Sequence, residues 1–112
     1  MHIDALICAI NPHIPFVSET AAQVFLTKYP DADQSAFITA LYIGRSHLHF
    51  DELSPDYKPG LLSGEINRHW DDDTVPAKDR AKVLYEKNSN LTSYYDAFIR
   101  CTNNSKYNRD MF

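Results

Sequence analysis

The densest run of chemistry-bearing side chains is Arg45-Ser46-His47-Leu48-His49-Phe50-Asp51-Glu52, with two imidazoles and two carboxylates within eight residues. Imidazole nitrogen and carboxylate oxygen together suit zinc or another first-row divalent ion. The spacing limits that reading. On a helix, residues i and i+2 diverge by about 200°, so His47 and His49 would point to nearly opposite sides. They share a face only where the chain is extended. In a helix the neighbours would be Arg45 with His49 and His47 with Asp51. His69, just before Asp71, Asp72 and Asp73, could add a ligand, although nothing in the sequence brings it near. The alternative is that these histidines hydrogen-bond around a helix end, and the spacing favours it.

Arg45 follows Gly44 at the end of an uncharged stretch. Its planar fork suits a carboxylate or phosphate. It suits equally well the carbonyl end of a helix, or a pair with Asp51 or Glu52, and this second role is the expectation. Cys8 and Cys101 have apolar neighbours and read as small buried hydrophobes rather than reactive thiols. The acidic run Asp71–Asp73 lacks the spaced oxygens and glycine of a calcium loop and reads as charge placed before a helix that opens near Thr74. Glycine occurs only at 44, 60 and 64, so neither a dinucleotide fingerprint nor a phosphate-binding loop can be built. No nucleophile elbow, H-E-x-x-H pair or kinase signature is present. The sequence therefore names no catalytic residue and no cofactor. What it offers is aromatic: seven tyrosines and Trp70, types enriched where one end of a side chain is dry and the other wet. Arg45, His49, Tyr57 and Trp70, in a loop-rich stretch, are the candidate interaction surface.

These residues hang on elements legible from periodicity. Ile3, Leu6, Ile7 and Ile10 give a first helix, with a strand as the alternative for so short a run, and Asn11-Pro12 ends it. Ser18 caps a second helix that runs to about Lys28 before Pro30. Asp31 and Gln34 resemble a capping box, opening a third helix that is apolar all round to Gly44 and hence central. Residues 45–76 are irregular, with Leu62, Ile66 and Trp70 spaced for a short amphipathic helix. Thr74 and Pro76 open another helix to about Lys87, with Ala77, Ala81, Leu84 and Tyr85 inward. After Asn88-Ser89-Asn90, with Asn90 as cap, a last helix carries the stripe Leu91, Tyr94, Tyr95, Phe98 and Thr102. The last two helices form an αα-hairpin, and from about residue 104 the polar tail should fray. The expected fold is all-α, a compact single-domain bundle of about five helices over residues 1–112.

The stretches FITALYIGRSHLHFDEL and AKVLYEKNSNLTSYYDAFIRC resemble a small bacterial family catalogued as a domain of unknown function, over about residues 36–101. The resemblance implies a compact helical fold and carries no activity, cofactor or site residue with it.

Composition sets the remaining bounds. A chain of 112 residues, 44% hydrophobic and 23% charged, has ordinary globular usage and length enough for one core. The net charge of −4 and the absence of a basic run disfavour nucleic acid, whose binding depends on neutralising phosphates. No apolar stretch approaches the roughly 20 residues of a membrane span. Residues 1–10 lack the pattern of a secretory signal, and two cysteines do not make a disulfide framework, so the expected compartment is the cytoplasm. The functional expectation is a non-catalytic interaction or regulatory domain that binds an unidentified protein or itself. The alternatives are a metal-binding protein or metal-dependent enzyme using His47, His49, Asp51 and His69, and an acidic inhibitor or immunity-type protein facing a basic partner.

Overall fold

Ile3, Leu6, Ile7 and Ile10 are all buried on helix α1, Ile3–Ile10, so the first apolar run is a helix and not a strand. A 3-10 turn at Asn11–His13 ends it. Helix α2 spans Glu19–Thr27, and the Ser18 hydroxyl accepts from the Ala21 amide at 3.0 Å, as the cap position predicts. Helix α3 covers Asp31–Arg45, with every residue from Ser35 to Leu41 buried, then Ile43 and Gly44. It is the axle of the molecule.

The capping box at its start does not form. Pro30 holds the cap position without a side-chain bond, and Gln34 instead donates its amide to the carbonyls of Leu26 and Tyr29, each at 2.9 Å. This adds a side-chain donor to carbonyls at the end of α2, where the Leu26 carbonyl also accepts from the Tyr29 amide. Asp31 meets Arg80, a residue the apolar periodicity does not single out. Arg80 is only 4% exposed and bonds Asp31 at 2.7 Å and the Ser35 hydroxyl at 2.9 Å.

The irregular stretch contains one short helix, α4, Lys58–Ser63, ended by Gly64 in the left-handed region. The amphipathic helix expected from Leu62, Ile66 and Trp70 is absent, because the chain reverses at Gly64. Leu62 and Trp70 are half exposed, and Ile66 folds back against Gly60. Helix α5 begins later than Thr74, at Arg80, after a 3-10 turn at Ala77–Asp79, and runs to Lys87. Ala81 and Leu84 face inward, whereas Ala77 and Tyr85 are exposed. Helix α6 spans Asn90–Asn104, with Leu91, Tyr94, Tyr95, Phe98 and Thr102 buried as the stripe predicts. Asn90 does not cap it, since Ser89 sits at that position without a side-chain bond.

Helices α5 and α6 adjoin through Asn88-Ser89, yet each has its main partner elsewhere: α5 packs on α2, and α6 on α3. Gly44 permits the second contact. A Cβ at Gly44 would lie 1.7 Å from the carbonyl oxygen of Tyr94, so the helices meet backbone to backbone. The Tyr95 hydroxyl donates to the Phe37 carbonyl at 2.9 Å across the same seam.

The tail does not fray. Tyr107 and Phe112 are buried, with Phe112 against Phe98, and Arg109 bonds Asp4 at 2.7 Å. Arg68 gathers three remote pieces of chain, donating to Asp33 at 2.9 Å, to the Met1 carbonyl at 2.9 Å and to the Phe112 carbonyl at 2.7 Å.

This architecture, described over residues 1–112 in a computed structural model, is all-helical. Its radius of gyration, 13.1 Å, is that of one compact domain of this length. No helix is long and apolar enough to cross a membrane.

Candidate functional site

The carbonyl end of α3 borders a largely polar cleft. Tyr42, Arg45 and Ser46 lie there at one-turn spacing. With Tyr57, Asp71 and Thr74 from the following segment they line a cleft of about 390 Å³.

His47 holds this wall in place from behind. Its ring is fully buried, with Nδ1 at 2.7 Å from the Ile43 carbonyl and Nε2 at 3.0 Å from the Ser54 amide. A carbonyl only accepts and an amide N–H only donates, so the proton sits on Nδ1 and the imidazole is neutral. The ring meets Tyr57 edge-on, centroids 5.0 Å apart, and the Tyr57 hydroxyl reaches Ser46 Oγ at 3.1 Å. Across the cleft, the Asp71 carbonyl accepts from the amides of Thr74 and Val75, and Val75 is buried. The Thr39 hydroxyl fastens the same segment to α3 by donating to the Arg68 carbonyl at 2.8 Å.

The electrostatics are uneven. Burial, and then the charge of Asp72, hold the Asp71 carboxyl above the ordinary carboxylate range. The Tyr42 phenol is pushed up by burial and by the charge of Asp71, with Arg45 acting in the opposite direction. Arg45 and Asp71 face the same space, yet neither forms an ion pair with the other or with any other residue. Arg45 thus does not pair with Asp51 or Glu52. Asp71 does not stand before a helix either, because the chain after Thr74 turns rather than winds.

The four metal candidates are not brought together. Both nitrogens of His47 are engaged inside the fold. His49 is exposed in a separate hollow beside Leu48, Asp96 and Arg100. Asp51 is exposed on the loop, where its carbonyl accepts from Asn104. His69 bonds the Asp72 carboxylate at 2.7 Å. No group of three or more His, Cys, Asp or Glu side chains is arranged to hold a metal ion. Of the four interaction candidates, the cleft unites Arg45 and Tyr57. His49 lies in the other hollow, and Trp70, 47% exposed, stands outside the cleft. Cys101 is buried as expected, but Cys8 is exposed.

Sequence reasoning missed Tyr42, Ser46, Asp71 and Thr74 as wall residues. Tyr42 and Arg45 are an i, i+3 pair and Ser46 completes the turn, so half of the wall had a helical signal. Asp71 and Thr74 had none, because their positions depend on turns that fold back onto α3.

Fold and site together define a small helical domain with a charged, tyrosine-walled cleft at the end of its central helix. A scan against protein-family models and searches of curated proteins and of solved structures return no match to the chain.

Proposed function

We propose that the chain is a non-catalytic interaction domain that receives part of another protein in the cleft at the end of α3. The observation that carries this reading is the unpaired state of Arg45 and Asp71 in one cleft. A half-buried carboxylate without a cation is a cost to the free fold. A partner that brings a carboxylate to Arg45 and a cation to Asp71 converts that cost into recognition. Tyr42 and Tyr57 add rigid, amphipathic contact area, the type of surface in which binding energy concentrates. The engagement of both His47 nitrogens speaks against the metal-binding alternative. The resemblance of residues 36–101 to a helical family of unknown function fits this reading and adds no activity to it.

The test is selection of a random heptapeptide library displayed on phage against the folded protein, with binding mapped by amide chemical shifts. Shifts centred on Tyr42, Arg45, Ser46, Tyr57 and Thr74, lost in the R45A/D71N double variant, support the reading. Binding that the double variant leaves unchanged, or that maps to another face, removes it.

A further inference from the structure

The segment that carries Tyr57 to the cleft is held unevenly along its length. As far as Leu53 it is bound to α6. Arg100 donates to the carbonyls of His47 at 3.2 Å and Phe50 at 2.9 Å, and the Cys101 thiol donates to the Phe50 carbonyl at 3.2 Å. Asn104 donates to the Asp51 carbonyl at 2.7 Å, and the Ser105 hydroxyl accepts from the Leu53 amide at 2.8 Å. Leu53 is buried, and the next buried side chain is Leu61, inside α4. Between these anchors two bonds tie the chain to the end of α3. The Ser54 amide donates to His47 Nε2 at 3.0 Å, and the Tyr57 hydroxyl meets Ser46 Oγ at 3.1 Å.

The bond to Ser54 exists only while the His47 ring is neutral. Nδ1 donates its proton to the Ile43 carbonyl, so a second proton would enter at Nε2 and turn the acceptor of the Ser54 amide into a donor. The surroundings offer that charge no compensation. The ring is fully buried and meets the rings of Phe50 and Tyr57, with centroids at 5.6 Å and 5.0 Å. From α6, the Cys101 thiol and the Arg100 guanidinium, itself a cation, reach the His47 carbonyl. No carboxylate pairs with either ring nitrogen. Arg45, His49, Asp51, Glu52 and Asp56, the charged or titratable neighbours in the chain, are exposed. A charge buried without a partner is costly. His47 is also the one buried histidine of five, whereas His2 and His69 each already face a carboxylate at 2.7 Å.

We infer that His47 is an acid-sensitive latch on the cleft wall. A proton taken from solvent at Nε2 expels the Ser54 amide and releases residues 54–57, so that Tyr57 leaves the cleft while Leu53 and Leu61 keep their places. The tautomer sets the sign: the latch is closed while the imidazole is neutral and opens as acid charges it. What the opening does to binding rests on the interaction reading above. The opening itself is a property of the free protein.

The experiment follows imidazole nitrogen shifts and amide exchange in the free, isotope-labelled protein from about pH 7.5 to about pH 4.5, with exchange rates corrected for their intrinsic pH dependence. At neutral pH His47 should carry its proton on Nδ1 alone. As the second proton arrives, the Ser54 amide should lose protection about tenfold and the Tyr57 ring its contacts with His47. The amides of Leu53, Ile66 and Tyr95 should keep their protection. H47Q retains an oxygen that can accept from Ser54 and takes up no proton, so its Ser54 amide should stay protected throughout. Where H47Q does not fold, the wild-type measurement decides alone. Heptapeptides selected for the cleft at neutral pH should bind the wild type about tenfold more weakly on the acid side of the transition, and H47Q equally on both sides. Overturning results are a Ser54 amide that stays protected once His47 has charged, or that opens in H47Q at the same pH. A His47 that stays neutral down to about pH 4.5 also overturns the latch, and each of these leaves the interaction reading standing. Loss of protection at Ser54, Leu53 and Tyr95 together is acid unfolding of the whole fold and overturns the latch as well. Failure of every peptide to bind the cleft removes the interaction reading, whereas a local opening at Ser54 still supports the latch.

Discussion

Substituting Gly44 by alanine separates two physical arguments that give opposite signs. Intrinsic propensity says that alanine should stabilise α3 by about 1 kcal/mol, because glycine loses more backbone entropy in a helix. The packing says otherwise. The added Cβ would meet the Tyr94 carbonyl oxygen at 1.7 Å and its carbon at 2.5 Å. The obstacle is backbone, which has no rotamer to escape into, so α3 and α6 must part by more than about 1 Å along the seam that buries Phe37, Leu41, Tyr95 and Phe98. Overpacking of a well-filled core costs about 1–3 kcal/mol, and a backbone obstacle belongs at the upper end. With the propensity gain deducted, G44A should lose about 2 kcal/mol or more. For a domain of this size that is a fall of about 8–12 °C in melting temperature. Thermal and urea unfolding followed by circular dichroism measure it, with an unchanged urea slope showing that the unfolded state is not involved. A G44A protein as stable as the wild type, or more so, would refute the backbone contact between the two helices.

Replacing Arg80 by methionine removes the partner of the exposed Asp31 carboxylate and one of the bonds to the buried Ser35 hydroxyl, which also meets Asp72, and should cost about 1–2 kcal/mol in urea unfolding. A neutral outcome would show that apolar packing alone serves that site. Asp71 provides a pH test. Its folded-state pKa is raised, so its contribution to stability is full below the unfolded value near 3.9 and is lost as pH rises through the folded value. D71N should therefore raise stability at neutral pH by about 0.5 kcal/mol, with the gain fading below about pH 4. A D71N protein less stable at neutral pH than the wild type would contradict this. The thiols should differ in rate. Cys8 is exposed, whereas Cys101 is buried and donates to the Phe50 carbonyl at 3.2 Å. An aromatic disulfide should therefore modify one thiol quickly and the other only on unfolding, and two fast thiols would show that the loop over Cys101 opens. Replacing Phe112 by alanine should cost about 3 kcal/mol, where a frayed tail would make it silent.

The sequence made the helices legible wherever apolar residues recur at one-turn spacing. Ile3 to Ile10, the uncharged run of α3 and the stripe from Leu91 to Thr102 all take the places their periodicity predicts. Reading failed where a polar side chain acts at long range. Arg80 carries no signal of its own in the apolar pattern, and only the arrival of Asp31 and Ser35 explains its burial. Asp31 and Gln34 match a local capping pattern, but Gln34 finds better acceptors at the end of α2. Arg109 looks like a tail residue until Asp4 is placed beside it. The cleft divides along the same line. Tyr42, Arg45 and Ser46 share one helical turn, so that part carries a periodic signal, although the residue types single out Arg45 alone. Asp71 and Thr74 reach the cleft through turns fixed by tertiary bonds, which leave no period in the sequence. The histidines mislead for a related reason: identity and spacing suggest ligands, whereas both nitrogens of His47 serve the backbone.

The guanidinium of Arg68 has a kinetic meaning as well. It holds Asp33, the Met1 carbonyl and the Phe112 carbonyl at once, so none of these segments can leave without breaking bonds that the others share. Residues 64–70, the first residues and the tail should then exchange their amide protons as one cooperative unit with a common opening free energy. Native-state exchange would show three stretches, far apart in the chain, released together. Asp71 directly follows that unit, so the opening that frees the tail should also loosen one wall of the cleft.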